Sequence, residues 1–418
     1  MTNTYEKIRG EVVAGGALDQ EETAGGPKAA LGLLAILALL VALLIASPWA
    51  FVFVVGLLIS IFLHECGHYI TARKSGMKVT QFFMGMGPKV WSFRRGEIEY
   101  GVRALPVGAF VRIVGMNNLD DIGDDEDESR TYRSKSYPRK LITITAGSIM
   151  HMIIAVVLLF TVYAAWGKSE SSHKVTIGAV VDNGGAKAAG VQPNDILVSV
   201  DGQVVSSSEQ VGQLIQAHQP GDHVTLVVQR GTAQQTLTAA LGSNPDKTGG
   251  HFGTAYLGIQ SGVKYAFVHQ SFVETVTSSF TDLGSQAWQS VGGVVKVMNP
   301  VNIYEHLTGA NTDQTTQPVT LYGVSRFSST VGSAIGFAGI LSMLAGVNVF
   351  VGLLNLVPLL PFDGGHAAVA TYERIRSRKG KRYTADVGKM VPVAMAVMTF
   401  LVFVLFAGLY LDITNPIR

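Results

Sequence analysis

GLLISIFLHECGHY, residues 56–69, places two histidines and a glutamate at the end of a segment that is apolar enough to lie in a lipid bilayer. His64 and His68 are four residues apart, so on a helix their side chains share one face and lie one turn apart. Both imidazoles can therefore bind a single zinc ion. Glu65, beside the first histidine, is the residue that serves as general base in sites with this spacing. Because ionisable groups inside an apolar span are costly and normally functional, the sequence predicts a metal site within the membrane.

The composition also indicates a membrane protein. Of the 418 residues, 48% are apolar, which is too many for an ordinary cytosolic enzyme and enough for two or three domains. The net charge of +2 gives no basic surface for nucleic acid, so we expect no nucleic-acid partner. A single cysteine excludes an internal disulfide. Residues 1–27 are polar, glycine-rich and acidic, which predicts a disordered cytoplasmic tail rather than a secretory signal.

Long apolar segments predict a polytopic α-helical membrane protein with about five transmembrane helices. Two of these helices are expected in residues 28–71, and the second carries the HExxH sequence. The other three are expected at 141–166, 330–366 and 390–411.

The orientation of these helices is predicted from the positions of Lys and Arg. The loops 72–140 and 367–389 are basic, so we expect both in the cytoplasm, together with the N-terminus. The long polar block 168–329 has few basic residues for its length and should lie outside. The chain is therefore predicted to be a multi-pass protein of the plasma membrane.

The loops carry their own predicted structures. Residues 79–115 alternate in polarity between turn signals, which predicts two short β-hairpins that approach the membrane beside the zinc. Residues 168–262 predict a small domain with a helix at Ser208–Ala217 and strands at 224–229 and 235–240. Residues 263–329 contain an amphipathic helical stretch, which we expect either to pack on that domain or to lie at the membrane surface.

A catalytic zinc needs a third protein ligand, and Asp363 is the strongest candidate. It lies in NLVPLLPFDGGH, residues 355–366, at the cytoplasmic end of a segment that is otherwise uncharged, and so at the depth of the HExxH sequence. Two prolines interrupt the helix before Asp363, and two glycines after it allow the backbone to approach closely. The alternative is that Asp363 only caps a proline-kinked helix. His151, inside the third span, is either a ligand, a polar residue lining the site or a packing residue.

These motifs together resemble the site-2 proteases, which are membrane-embedded zinc metalloproteases with an inserted PDZ domain. The similarity is greatest to the actinobacterial regulators of intramembrane proteolysis, and it rests on these sequences: HECGH at 64–68, GMKV at 76–79, EYGVRALPVGAF at 99–110, NLVPLLPFDGG at 355–365 and YERIR at 372–376. The resemblance assigns 168–262 as an extracytoplasmic α+β PDZ domain and 79–115 as a membrane-associated β element that guides substrate. One departure is that Ser148 and His151 stand where the family usually has proline and asparagine.

The resemblance also implies a cofactor and a site. The cofactor would be Zn²⁺, with His64, His68 and Asp363 as ligands and Glu65 as the catalytic base. Asn355 would bind the substrate backbone.

The implied function is cleavage of single-span membrane proteins, commonly anti-sigma factors, after an earlier cut outside the membrane. The partners would be that substrate, the lipid bilayer and a peptide bound to the PDZ domain.

Three other interpretations remain open at this point. The chain would be a non-catalytic membrane adaptor if its PDZ domain bound extended peptides and the zinc site were vestigial. It would be a protease of soluble peptides if Glu373, rather than Asp363, were the third ligand. Cys66 as a nucleophile is the weakest interpretation, because no separate general base is placed for it.

Overall fold

The computed structural model describes residues 26–116, 127–182, 184–245, 252–311, 313–377 and 383–416. Nearly all of the predicted tail, residues 1–27, lies outside these ranges. The chain divides into two compact units, one formed by Met1–Val162 with Val276–Arg418 and the other by Tyr163–Thr275.

Two long apolar helices begin the described chain, α1 (Gly26–Ala46) and α2 (Pro48–Lys74). Ser47 separates them, because its side chain accepts a hydrogen bond from the backbone N–H of Ala50 and a proline follows at the first helical position. The HExxH sequence therefore lies on α2, near its C-terminal end.

Two long strands follow, β1 (Val79–Arg95) and β2 (Ile98–Ile113), and they pair as one antiparallel hairpin. The sequence predicted two short hairpins here. The turn signals at 85–88 and 106–108 lie within the strands and bend them, because their glycines have positive φ angles.

The bent strands pair with each other more than once. Residues 81–84 pair with 109–112 on one side and with 99–102 on the other. Segments 109–112 and 89–95 therefore form the two edges of this small sheet. The α3 helix (Tyr137–Ala165) follows the hairpin and a loop, and it is the third apolar span.

The unit Tyr163–Thr275 contains a six-stranded antiparallel sheet, a separate two-stranded sheet and two helices. In chain order these elements are β3 (Lys168–Val180), α4 (Gly185–Ala188), β4 (Ile196–Val200), β5 (Gln203–Val204), α5 (Ser208–Gln216), β6 (His223–Arg230), β7 (Ala233–Ala240), β8 (Gly242–Ser243), β9 (Ala255–Tyr256) and β10 (Ile259–Val268). The strand order in the larger sheet is β10-β3-β4-β6-β7, with β5 beside β4. The predicted helix and the two predicted strands of this unit are confirmed to within two residues at each end.

The described residues after this unit are mainly helical. Their helices are α6 (Phe272–Val297), α7 (Pro300–Thr308), α8 (Leu321–Ile335), α9 (Phe337–Leu354), α10 (Asp363–Arg376) and α11 (Val391–Thr414). The fourth span was predicted to begin at residue 330, but it begins at Phe337. Gly336, at φ +73° and ψ −150°, separates it from α8 in a conformation that only glycine adopts readily.

Among the described residues, five helices are long and apolar enough to cross a membrane, namely α1, α2, α3, α9 and α11. This is the number that the sequence predicts.

Candidate metal centre

Three predicted ligands, from two distant parts of the chain, meet at one point. Nε2 of His64 and Nε2 of His68 are 3.1 Å apart. Oδ2 of Asp363 lies 3.4 Å from the first nitrogen and 3.3 Å from the second. Among the described residues, these three form the one group of His, Cys, Asp or Glu side chains whose ligand atoms are close enough together to hold a metal ion.

The separations fit zinc. Two ligand atoms about 2.0 Å from a tetrahedral zinc ion lie about 3.3 Å from each other, which is close to all three distances here. Asp363 Oδ2 is buried and has no hydrogen-bond partner among the described residues, so its lone pairs are available to a cation. Two imidazoles and one carboxylate leave the fourth position of a catalytic zinc open.

His68 is held in the orientation that a metal ligand needs. Its Nδ1 lies 2.8 Å from the backbone carbonyl oxygen of Thr143 on α3. A carbonyl only accepts, so Nδ1 carries the proton and Nε2 keeps its lone pair for the metal. The close approach of α3 depends on Gly147, because a Cβ there would overlap both imidazoles.

His64 has different surroundings. Its Nδ1 is buried and has no hydrogen-bond partner among the described residues. The ring of His151 is next to it, with the two ring centres 4.8 Å apart. Nδ1 of His151 lies 2.8 Å from Oδ1 of Asn348 on α9, whose amide nitrogen donates to Ser60 Oγ at 3.1 Å. His151 is thus a polar residue lining the site rather than a member of the three-ligand cluster.

Glu65 lies at the edge of the same cluster. Its Oε1 is 3.9 Å from His64 Nε2, and its side chain is 11% exposed. The carboxylate faces the backbone N–H of Val111, which belongs to the edge segment 109–112 of the hairpin. An acidic group therefore stands between the cluster and a strand edge.

A tight turn brings Asp363 to the histidines. The backbone N–H of Gly364 donates to the carbonyl of Asn355 at 2.7 Å. A side chain at either Gly364 or Gly365 would collide with the backbone of residues 356–360. Asp363 is the first residue of α10, so the turn and not a continuous helix sets its position.

Asn355, predicted to bind substrate, caps the C-terminal end of α9. It is partly buried, and its side chain makes no hydrogen bond to any described residue. The side-chain amide of Asn355 is therefore available, and it lies on the same turn that positions Asp363.

Glu373, the alternative third ligand, is engaged elsewhere. Its Oε2 pairs with Lys140 Nζ at 3.1 Å, and its Oε1 accepts the backbone N–H of Ala385 at 3.0 Å. The structure brings Asp363 and not Glu373 to the histidines, which argues against Glu373 as the third ligand.

Sequence reasoning missed Asn348 and Ser60, and it left His151 undecided. Both missed residues are buried polar side chains in otherwise apolar helices. That pattern was the available signal, because a polar group in a membrane span is normally paired or functional.

Comparison with known proteins gives consistent matches. Residues 52–399 match the model of Peptidase family M50. The zinc metalloprotease Rip1 of Mycobacterium tuberculosis is 30% identical over 396 residues, which cover 88% of this chain and 97% of that protein. Rip1 of Mycolicibacterium smegmatis is 30% identical over 402 residues, which cover 87% and 97%. Among solved structures, the PDZ domain of an SdrC-like protein from Listeria monocytogenes covers 22% of this chain and 90% of its own, with 24% identity and a TM-score of 0.20.

Proposed function

Because the chain belongs to Peptidase family M50, and is therefore a multi-pass zinc metalloprotease, we propose that it cleaves a peptide bond in or near the membrane segment of a single-span protein. The observation that carries this proposal is the convergence of His64, His68 and Asp363, with ligand atoms 3.1–3.4 Å apart and Glu65 beside them. The histidines lie on α2, one of the five apolar helices, which supports a cut at membrane depth.

The ligands and the base have separate roles. His64, His68 and Asp363 would hold zinc, which when bound supplies Lewis-acid chemistry to a carbonyl group and makes water more acidic. Glu65 takes the proton of the attacking water and returns it to the leaving nitrogen. Burial of the carboxylate keeps bulk water away from this transfer.

The substrate has to be extended before it is cut, because a helical peptide bond is shielded by its own turn. Segment 109–112 is the strand edge next to Glu65, and an unwound substrate would add to it as another strand. At the opposite edge, α1 packs against Val90, since a Cβ on Gly32 would lie 2.6 Å from Val90 Cγ1. The Asn355 amide would hold the substrate backbone from the other side.

The smaller unit would act as a PDZ gate outside the cell. Its α5 helix and the stretch Leu257–Ile259 line a cavity of about 230 Å³, in which an extended peptide fits. With the N-terminus and both basic loops in the cytoplasm, this unit stands outside and excludes bulky ectodomains. An earlier outside cut then licenses the intramembrane cut, and anti-sigma factors are substrates of this kind.

The decisive experiment measures cleavage and zinc content on purified protein. Glu65→Gln should lower turnover by about 10²–10⁴-fold while zinc stays bound, because only the base is lost. Asp363→Asn should lose zinc and activity together. Glu373→Gln is the matched control for Asp363→Asn and should retain zinc.

Retained turnover in Glu65→Gln would contradict this proposal and leave the second candidate, a peptide-binding membrane adaptor. The observation that favours that candidate is the cavity beside α5, which requires no zinc.

A further inference from the structure

The two histidines of the cluster differ in whether their second ring nitrogen has a hydrogen-bond partner. A zinc-binding histidine almost always donates its second ring N–H to a partner, which fixes the ring and makes it a better ligand. His68 has such a partner in the carbonyl of Thr143 at 2.8 Å. Nδ1 of His64 is buried and has none among the described residues. A buried donor without an acceptor costs about 1–3 kcal/mol, so the fold should provide one.

His151 is the polar group packed against that ring. It is 2% exposed, and its ring centre lies 4.8 Å from that of His64, with the planes tilted by 45°. His151 follows Gly147 by one turn on α3, so it shares the helix face that approaches the two ligands. Gly352 on α9 leaves room for it, because a Cβ there would lie 2.9 Å from His151 Cβ.

The hydrogen bonds around Asn348 fix which nitrogen of His151 is protonated. The Asn348 amide nitrogen lies 2.8 Å from the carbonyl of Leu344, which only accepts, so this nitrogen is correctly assigned as the donor. Oδ1 of Asn348 is then the atom that faces His151 Nδ1 at 2.8 Å. Nδ1 of His151 therefore carries the proton, and Nε2 of the neutral ring keeps a lone pair.

We propose that His151 is a positioning residue for the zinc site, whose Nε2 accepts the Nδ1–H of His64 through one bridging water molecule. The chain Ser60–Asn348–His151–His64 then runs from α2 through α9 and α3 back to a metal ligand. His151 would thus accept the Nδ1–H of His64 and fix its ring, as the carbonyl of Thr143 does for His68. This inference rests on the proposed zinc site and concerns the affinity of that site, not a proton transfer to substrate.

The test measures the zinc dissociation constant of the full-length protein in detergent, by competition with a chelator. His151→Ala should weaken zinc binding by about 10–100-fold, the usual effect of losing such a partner. His151→Asn, which keeps an acceptor oxygen, should recover most of this loss. Asn348→Leu, which leaves the His151 tautomer unfixed, should weaken binding in the same direction as His151→Ala.

His306→Ala is the matched control. His306 is also a buried histidine, 4% exposed, with its Nε2 bonded to Thr316 Oγ1 at 3.1 Å, and it is not part of the cluster. Its loss should leave the zinc dissociation constant unchanged. Replacing zinc with Co²⁺ adds a readout independent of activity, since His151→Ala should shift the visible absorption of the bound cobalt and His306→Ala should not.

The outcomes separate this inference from the proposed function. If the wild-type protein binds no zinc, the proposed function fails. If the wild type binds zinc and His151→Ala binds it equally well, the zinc site stands and the positioning role is overturned. Equal weakening by His151→Ala and His151→Asn would also overturn it, because it would show that His151 acts through its shape and not through an acceptor atom.

Discussion

Asp195 is a buried carboxylate in the smaller unit, 1% exposed, and its partners determine how that unit responds to acid. Arg230 donates to both of its oxygens, at 2.8 and 2.7 Å, and the backbone N–H of Gln192 donates at 2.9 Å. The guanidinium of Arg230 is the main reason why the pKa of Asp195 lies below its usual range. The ionised form is therefore bound more tightly in the folded state than in the unfolded one.

A pH-dependent effect of Asp195→Asn follows from this. A carboxyl group whose pKa is lowered by folding contributes stability that is complete above its unfolded pKa of about 3.9 and is lost as the pH falls through the folded value. At pH 7 the variant should unfold at a lower temperature than the wild type, by the equivalent of about 1.5–3 kcal/mol. The difference should shrink below pH 4, as measured by thermal unfolding of the full-length protein in detergent. A difference that is constant from pH 7 to pH 3 would contradict the prediction.

The three residues of the metal cluster were predictable from sequence, but the buried polar residues beside them were not. His64 and His68 follow from helical spacing, and Asp363 follows from a charge next to helix-breaking residues in an apolar segment. Asn348 and His151 are 197 positions apart in the chain, and their hydrogen bond forms only because α9 and α3 pack together. No periodicity within one helix contains that information.

The hairpin edge next to Glu65, segment 109–112, is where the proposed function places the substrate. The N–H of Val111 faces Glu65, so the N–H of Ala109, two residues earlier on the same strand, is expected to point to the same side, away from residues 81–84. Ala109→Pro removes that donor without touching the bonds to residues 81–84. We expect cleavage of a membrane substrate to fall about fivefold to tenfold, the effect of one lost hydrogen bond, with zinc content unchanged.

Ala109→Ser is the matched control for this variant, because it changes the side chain and keeps the N–H. It should cleave at the wild-type rate. Wild-type cleavage by Ala109→Pro would show that the substrate does not pair with this edge.

The α6 helix is amphipathic, but its apolar side faces outward. Trp288 is 80% exposed and Val295 69%, whereas Ser279 is 1% exposed. The side chain of Gln286 comes within 3.9 Å of where a Cβ on Gly346, midway along the membrane helix α9, would lie. Both observations favour the second of the two positions expected from sequence, in which α6 lies at the membrane with its apolar face in lipid.

Spin labels test the position of α6. In a Cys66→Ser background reconstituted in lipid vesicles, a nitroxide at Trp288→Cys should be relaxed strongly by oxygen, which concentrates in the bilayer. A nitroxide at Gln289→Cys, the adjacent exposed residue on the polar side, should instead be relaxed by a water-soluble nickel complex. Equal accessibility of the two labels to the nickel complex would place α6 away from lipid.

The sequence predicted which segments form helices better than where the chain turns. Apolar length gave the five spans to within a few residues at most ends, because burial in lipid demands a minimum length. The single hairpin and the break at Gly336 were missed, since glycines bend a strand or end a helix according to packing that distant segments provide. The smaller unit was predicted well because its turns are local.

The metal cluster and the cavity beside α5 lie in different compact units. The zinc cluster and its supporting residues all lie in the unit that contains the five apolar helices, and the cavity beside α5 lies wholly in the other. If the proposed function is correct, deletion of the smaller unit should therefore separate substrate selection from chemistry.

Removal of residues 175–262 should change which substrates are cut without changing the chemistry. If the smaller unit excludes bulky ectodomains, the wild type should cleave a single-span substrate that lacks its ectodomain and leave the intact substrate uncut. The deletion variant should cleave both at similar rates, because the zinc cluster is untouched. Cleavage of each substrate is measured in reconstituted vesicles, and zinc content provides the control for folding of the remaining unit. Equal cleavage of intact and trimmed substrates by the wild type, unaltered by the deletion, would contradict the gate while leaving the protease assignment in place.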